Sequence, residues 1–442
     1  MIAGVLVSNL LFAGVGYALL WRTLRGRTWT SRLSWAGVAL LLGAGSVGTA
    51  VFFAAISGAR ATLAVAVACS AALIGVGLLF RFDIPERATN GISRIQAALF
   101  GVVAGVCLLG VVGGFRSSPW LDDAWGIWLP KGLALWHHGL DERLFVPNGI
   151  YVTFGVPDYP LWWSIVTSLD VQASVGGLDV RVMSAQLAVL VAAFVGAVAR
   201  LLWGVVRPAP LAVGLLLLVL SPELWRQVQG GVADLALAIY VALFALALAA
   251  WAIEGAKWWL LVAAIAGASA VQIKTEGLGE VLIAGLVAVA FVPRARRAGV
   301  GIATGIAAAA ALPWLGWQLA HDVPSRSPLG DWVDRSYLAE RSERLGPTLE
   351  DLASRSLDPR SWLLLVPLAI ALAGIGFIRD RRLAWLAPVV GLVLGFVFLV
   401  WAYWANPDPI GFLLSTSAYR TVDPLVLTSA VAIPLLLDRL LR

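Results

Sequence analysis

ADLALAIYVALFALALAAWAI, residues 233–253, carries one charge, on Asp234 at its amino-terminal edge, and is otherwise almost entirely apolar. A helix rises 1.5 Å per residue, so roughly 20 such residues match a hydrocarbon core of about 30 Å. The same reading carried outward finds about thirteen spans. They are 2–21, 33–56, 60–80, 95–115, 182–205, 209–221, 233–253, 256–273, 276–293, 298–319, 362–378, 383–404 and 421–438. The 442 residues are 60% hydrophobic and 13% charged, with a mean hydropathy of +0.87. Soluble domains carry about 25% charged residues. An all-α polytopic transmembrane bundle is therefore expected. Residues 1–20 lack a basic leader and a small-residue cleavage site, and read as a first span. Cys69 and Cys107 lie inside apolar runs and read as small buried hydrophobes.

The basic residues sort the connections. Arg22, Arg25, Arg27 and Arg32 fill one, and Arg81, Arg87 and Arg94 another. Arg207, then Lys257, then Arg294, Arg296 and Arg297, then Arg379, Arg381 and Arg382, and finally Arg439 and Arg442 follow. If the spans alternate, all of these fall on one side, which the positive-inside rule makes the cytoplasm. The amino terminus is then outside and the tail 439–442 inside. The formal charge of +6 is thus an orientation signal and not a nucleic-acid one. Inner or plasma-membrane localisation is expected.

The opposite side receives 116–181, 221–231, 273–277, 320–361 and 405–420, none long enough for a soluble domain. Within SSPWLDDAWGIWLPKGLALWHHGL (117–140), Trp125, Trp128, Leu129, Gly132, Leu135 and Trp136 recur at helical spacing. This predicts an interfacial helix on the outer leaflet, bent at Pro130. Asp122 and Asp123 open it, and one cap needs only one carboxylate. In GVPDYPLWWSI (155–165), Pro157 and Pro160 fix a turn around Asp158 and Tyr159, and Trp162 and Trp163 return the chain to the interface. Asp234 sits in the first turn of a span, and IKTEGLGEVL (273–282) places Lys274, Glu276 and Glu280 near span ends. Lys274 and Glu276 can simply pair, yet ionisable groups at spans are costly and point to function. In AYWANPDPIGFLLSTSAYR (402–420), Pro407 and Pro409 break a span. Arg420 then opposes the dipole of the last one, a conflict that an anionic ligand or a lipid phosphate resolves. Mixed charges over 321–361 read as a solvated surface helix. His137, His138 and His321 are too scattered for a metal site.

Taken together, DDAWGIWLPKGLALWHHG (122–139), PDYPLWW (157–163), VADLALA (232–238), KTEGL (274–278) and STSAYR (415–420) resemble the GT-C class of polytopic membrane glycosyltransferases. The RgtA/B/C/D-like branch is most similar, a relative of protein mannosyltransferases and of the lipid A aminoarabinose transferase. The likeness covers 95–438 and leaves 1–94 as additional amino-terminal helices. Val156 stands where relatives often carry histidine, and Phe412, Leu413 and Leu414 where they carry Trp-His-Leu. The resemblance implies inverting transfer of a sugar from a polyprenyl-phosphate donor to an acceptor hydroxyl on a glycan, lipid or protein of the cell envelope. It implies Asp123 as general base with Asp122 in support. Lys274, Arg420 and Lys131 become candidates for the donor phosphate, and Asp158, Tyr159, Asp234 and Glu276 for substrate. It leaves a divalent metal (Mg or Mn) open. The rival readings are a transporter or flippase, which would place charges near the bilayer midplane in paired halves, and a non-catalytic sugar-lipid binder.

Overall fold

A computed structural model describes residues 2–79, 91–146, 156–175, 177–325 and 329–442. Among them the regular structure is helical, with one isolated bridge between Trp203 and Val206. Lipid offers no partner to a backbone N–H or C=O, and a helix satisfies both within its own segment. Eight helices among the described residues are long and apolar enough to cross a membrane: Ile2–Leu24, Ala36–Ile56, Arg94–Arg116, Val182–Leu202, Ala233–Glu254, Arg294–Ala320, Ala387–Ala405 and Ala418–Leu441. Two bent pairs raise the number to ten: Pro208–Val219 with Pro222–Gly230, at 51°, and Ser342–Trp362 with Leu365–Asp380, at 98°. The first breaks before Pro222, which has no N–H to offer. The second turns at Leu363 and Leu364, both left-handed at φ 48° and 61°. Leu63–Leu79 and Trp258–Ile273 are shorter apolar helices.

Ala233–Glu254 lies at the centre, packed on Val182–Leu202, Trp258–Ile273, Glu276–Phe291 and Asp423–Leu441. It is apolar all round because nearly every face is covered. Ile2–Leu24 and Ala36–Ile56 cross backbone to backbone. A Cβ on Gly16 would stand 1.7 Å from the Ala39 carbonyl oxygen, and one on Gly43 1.7 Å from that of Phe12. This pair is knitted into the bundle by Ser8 donating to the Asp170 carboxylate and by Asn9 Nδ2 donating to Gln186 Oε1 at 2.7 Å.

Contacts sort the connections into two ends. At one end Arg207 Nε meets Asp438 Oδ1 at 2.6 Å, Arg442 donates to the Val205 carbonyl at 3.0 Å, Arg379 to Leu440 at 2.6 Å and Arg296 to Ala252 at 2.6 Å. These are connections that the basic residues had put on one side. Arg81 and Arg87 lie outside the described residues. The other end gathers 117–146, 156–175, 221–231, 273–276, 314–325 and 405–423.

Several sequence expectations change here. Residues 124–128 form a π-turn that runs into the α-helix Leu129–His137, and Leu129 N–H reaches back five residues to the Ala124 carbonyl. Pro130 follows that π-turn directly, in the first turn of the α-helical part, and has no N–H to give to a tighter turn. The stripe of Trp128, Leu129, Gly132 and Leu135 packs on the helix Trp162–Gln172 and not on a lipid leaflet, while Trp120 and Trp125 are exposed. Trp162 and Trp163 are core residues, Trp162 standing edge-on to Tyr240 at 5.2 Å. Finally, 329–362 is a run of short helices, of which Leu345–Leu357 buries Thr348, Leu352 and Ser356 against the bundle.

The crossing at Gly43 yields a test. Gly43→Leu is expected to lower unfolding stability in lipid by about 1–3 kcal/mol through overpacking. Gly14→Leu, on an open face of the neighbouring helix, should change it by less than about 0.5 kcal/mol. Thermal unfolding of the two variants against wild type is the measurement.

Candidate functional site

Several ionisable groups meet at the end that gathers 117–146, 156–175 and 405–423. Asp123 precedes the π-turn, its side chain 32% exposed, and Arg420 Nη2 donates to its Oδ2. Arg420 Nη1 also lies 3.7 Å from Asp234 Oδ2. Lys274 Nζ bonds Asp234 Oδ1 at 2.8 Å and stands 3.6 Å from Glu276 Oε1. Tyr159 OH donates to Glu276 Oε1 at 3.4 Å. Its ring lies 5.2 Å from Lys274 Nζ and stacks on Trp128 at 5.4 Å and 7°. The result is one chain of contacts: Asp123, Arg420, Asp234, Lys274, Glu276, Tyr159, Trp128.

Local structure aims each group. Asp234 lies in the first turn of Ala233–Glu254 and Glu276 in that of Glu276–Phe291. A carboxylate is favoured there by the unpaired N–H groups and the dipole. Lys274 is extended, at φ −145° and ψ 156°, between two helices, which carries its side chain across to Asp234. Arg420 sits in the short turn Ala418–Thr421 that leads into the last helix. Asp234 and Arg420 are 5% and 7% exposed. Charges so enclosed persist only when paired. Burial and the neighbouring Glu276 carboxylate push the Tyr159 phenol up, so it stays a hydrogen-bond donor.

Other candidates fall elsewhere. Lys131 is fully buried and donates to the carbonyls of Val156, at 2.8 Å, and Tyr159, at 3.1 Å. It braces the 156–159 loop. Asp158 is a staple of the same loop: its carbonyl accepts from Trp314 Nε1 at 2.9 Å and Gln318 Nε2 at 3.0 Å, and its carboxylate from Ser325 Oγ at 3.0 Å. Asp122 is exposed, and no ion pair or hydrogen bond ties its side chain to the cluster among the described residues. Lys274 is closer to Asp234 than to Glu276, so the simple pairing of sequence neighbours is not what holds it.

The sequence reading passed over Tyr403 and Asp423. Tyr403 OH lies 2.7 Å from Ser417 Oγ and 2.9 Å from Thr421 Oγ1, and so fixes the turn that bears Arg420. Asp423 is fully buried three residues beyond Arg420. An acid before proline at the head of an apolar run was the available signal.

Among the described residues no group of three or more His, Cys, Asp or Glu is arranged to hold a metal ion. Asp123, Asp234 and Glu276 each face a guanidinium or an ammonium, unlike the all-oxygen shell that Mg or Mn takes. No step is therefore assigned to a metal.

Lys131 gives a pH test. Burial outweighs the nearby Asp158 carboxylate and brings its ammonium down to about 7, against about 10.4 in an unfolded chain. Between those values the unfolded state binds the extra proton, so folding stability rises with pH. Wild type should gain up to about 1.4 kcal/mol per pH unit from pH 7 towards 10 relative to Lys131→Met. Unfolding of both proteins at pH 7 and 9 measures it.

No family model, curated protein or solved structure matches this chain.

Proposed function

We propose that the chain is an inverting GT-C-like glycosyltransferase of about thirteen spans. It moves a sugar from a polyprenyl-phosphate donor to an acceptor hydroxyl at the outer face of the inner or plasma membrane. The observation that carries this reading is the Asp123–Arg420 pair: a partly open carboxylate and a buried phosphate-matching cation in contact, although 297 positions apart in sequence. Arginine's planar fork suits a phosphate, and a carboxylate within reach of a hydroxyl suits proton removal.

The chemistry balances on these groups. The acceptor oxygen attacks the anomeric carbon, and its proton goes to Asp123. The bond from that carbon to the phosphate oxygen breaks, and its electron pair leaves with the polyprenyl phosphate. Attack from the opposite face inverts the centre. Arg420 and Lys274 offset the charge that develops on the phosphate. Asp234 holds both cations in place and thus acts on the donor side. Glu276 and Tyr159 are left for hydroxyls of the sugar or acceptor. The exposed Trp120 and Trp125 stand at the lipid boundary, where tryptophan is favoured.

Two measurements test this. Purified protein in lipid is offered radiolabelled polyprenyl-phosphate sugars with envelope glycan extracts as acceptor. Asp123→Asn is expected to release label about 10²–10⁴-fold more slowly than wild type while binding donor. Equal release would sink Asp123 as the base, and release from no donor would sink the transferase and leave the binder and flippase readings. For orientation, a membrane-impermeant thiol reagent on intact cells should label a cysteine introduced at Ser415 and not one at Arg381. The opposite pattern would reverse the topology.

A further inference from the structure

Arg420 is under-used where it sits. Only Nη2 makes a hydrogen bond, to Asp123, while Nε and Nη1 are buried with no hydrogen-bond acceptor among the described residues. An enclosed N–H group without an acceptor is destabilising, and an oxygen ligand with two adjacent lone-pair sites, seated on the edge that Nε shares with Nη2, gives Nε its acceptor. Phosphate is such a ligand, and guanidinium takes it in a bidentate fork.

The two carboxylates around Arg420 are not equivalent. Asp234 is 5% exposed and already bonded to Lys274 at 2.8 Å. Asp123 is 32% exposed, and Arg420 is its one ion-pair partner among the described residues. An anion competing for the guanidinium therefore displaces Asp123, which can take up water, and leaves Asp234 in place. As long as Asp123 Oδ2 accepts from Arg420, that oxygen is not available to an acceptor hydroxyl.

We propose that Arg420 is a donor-operated latch. At rest its guanidinium occupies Asp123. An arriving polyprenyl phosphate takes the Nε–Nη2 edge of the guanidinium, and Asp123 is released as a base only once the donor is seated. This rests on the transferase reading and adds an order of events to it: donor first, base second. It would keep the carboxylate from acting on bound hydroxyls when no donor is present.

The test is binding, not turnover. Protein in a phosphate-free maltoside detergent is titrated with undecaprenyl phosphate, with undecaprenol, phosphatidylglycerol and inorganic phosphate as comparison ligands. Asp123→Asn and Asp123→Ser are both used, so that a folding failure of one leaves the comparison standing. Both should bind undecaprenyl phosphate about tenfold more tightly than wild type, because the charge-assisted bond that the ligand must break is gone. Asp122→Asn makes the same change of charge one residue away and should stay within about twofold of wild type. Affinity in the Asp123 variants no better than in Asp122→Asn overturns the latch and leaves the transferase reading standing. The same gain for phosphatidylglycerol or inorganic phosphate overturns the donor as its operator. A wild type that binds undecaprenyl phosphate no better than undecaprenol brings down both.

Discussion

Asp234 holding Lys274 on one oxygen and facing Arg420 with the other is the constraint on which this end of the bundle depends. Each of the three is nearly sealed from solvent in an otherwise apolar assembly. A single charge there would cost several kcal/mol, and removing one partner leaves the others uncompensated. The network therefore fixes where its carriers stand: the head of Ala233–Glu254, the junction between Trp258–Ile273 and Glu276–Phe291, and the turn before the last helix. Through Arg420 it also fixes the segment that begins at Asp122. The Lys274–Asp234 bond spans 40 positions and the Arg420–Asp123 bond 297. No local propensity can form either, so the charges pair only as the helices pack.

The helices themselves were legible because the requirement behind them is local. A segment in lipid must satisfy its own backbone, and an apolar run of the right length announces that. Part of the grouping of the connections was legible too: the contacts among Arg207, Asp438 and Arg442 bring together segments that the arginines had grouped. The direction an apolar face takes was not legible. Lipid tails and protein interior are equally apolar, so the spacing of Trp128, Leu129, Gly132 and Leu135 cannot say which of the two it meets. Gly132 offered the hint: a Cβ there would stand 2.4 Å from the Ser164 carbonyl oxygen. Glycine on a helical stripe marks a close backbone approach, and lipid demands none.

Within the site, single residues were legible and their partners were not. Asp123, Asp234, Lys274, Glu276 and Arg420 stand out because an ionisable group beside a span needs a reason. Their pairing depends on which helix ends become neighbours, and sequence distance misleads: Lys274 bonds Asp234 more closely than Glu276 two positions away. Lys131 shows the converse. It looked like a cation facing outward, but it is spent on two backbone carbonyls of a loop that cannot satisfy them alone. The proline-rich turn at 157–160 frees those carbonyls, so the signal for Lys131 lay in the other segment.

Why the second of two adjacent aspartates meets Arg420 follows from the turn behind it. In unbroken α geometry each residue advances about 100°, and positions 123 and 128 end up about 140° apart. A turn closed five residues on instead brings them towards the same side. The π-turn Ala124–Trp128 is therefore what lets Trp128 stay buried, stacked on Tyr159, while Asp123 points to the same side and reaches Arg420. Tyr159 continues to Glu276 and Lys274, so one face of this short segment carries both ends of the network. Pro130 stabilises the arrangement, since it has no N–H to give to a tighter turn. Had the segment been a plain α-helix, its buried stripe and its carboxylate would have faced different ways, and packing would have carried Asp123 away from the cation.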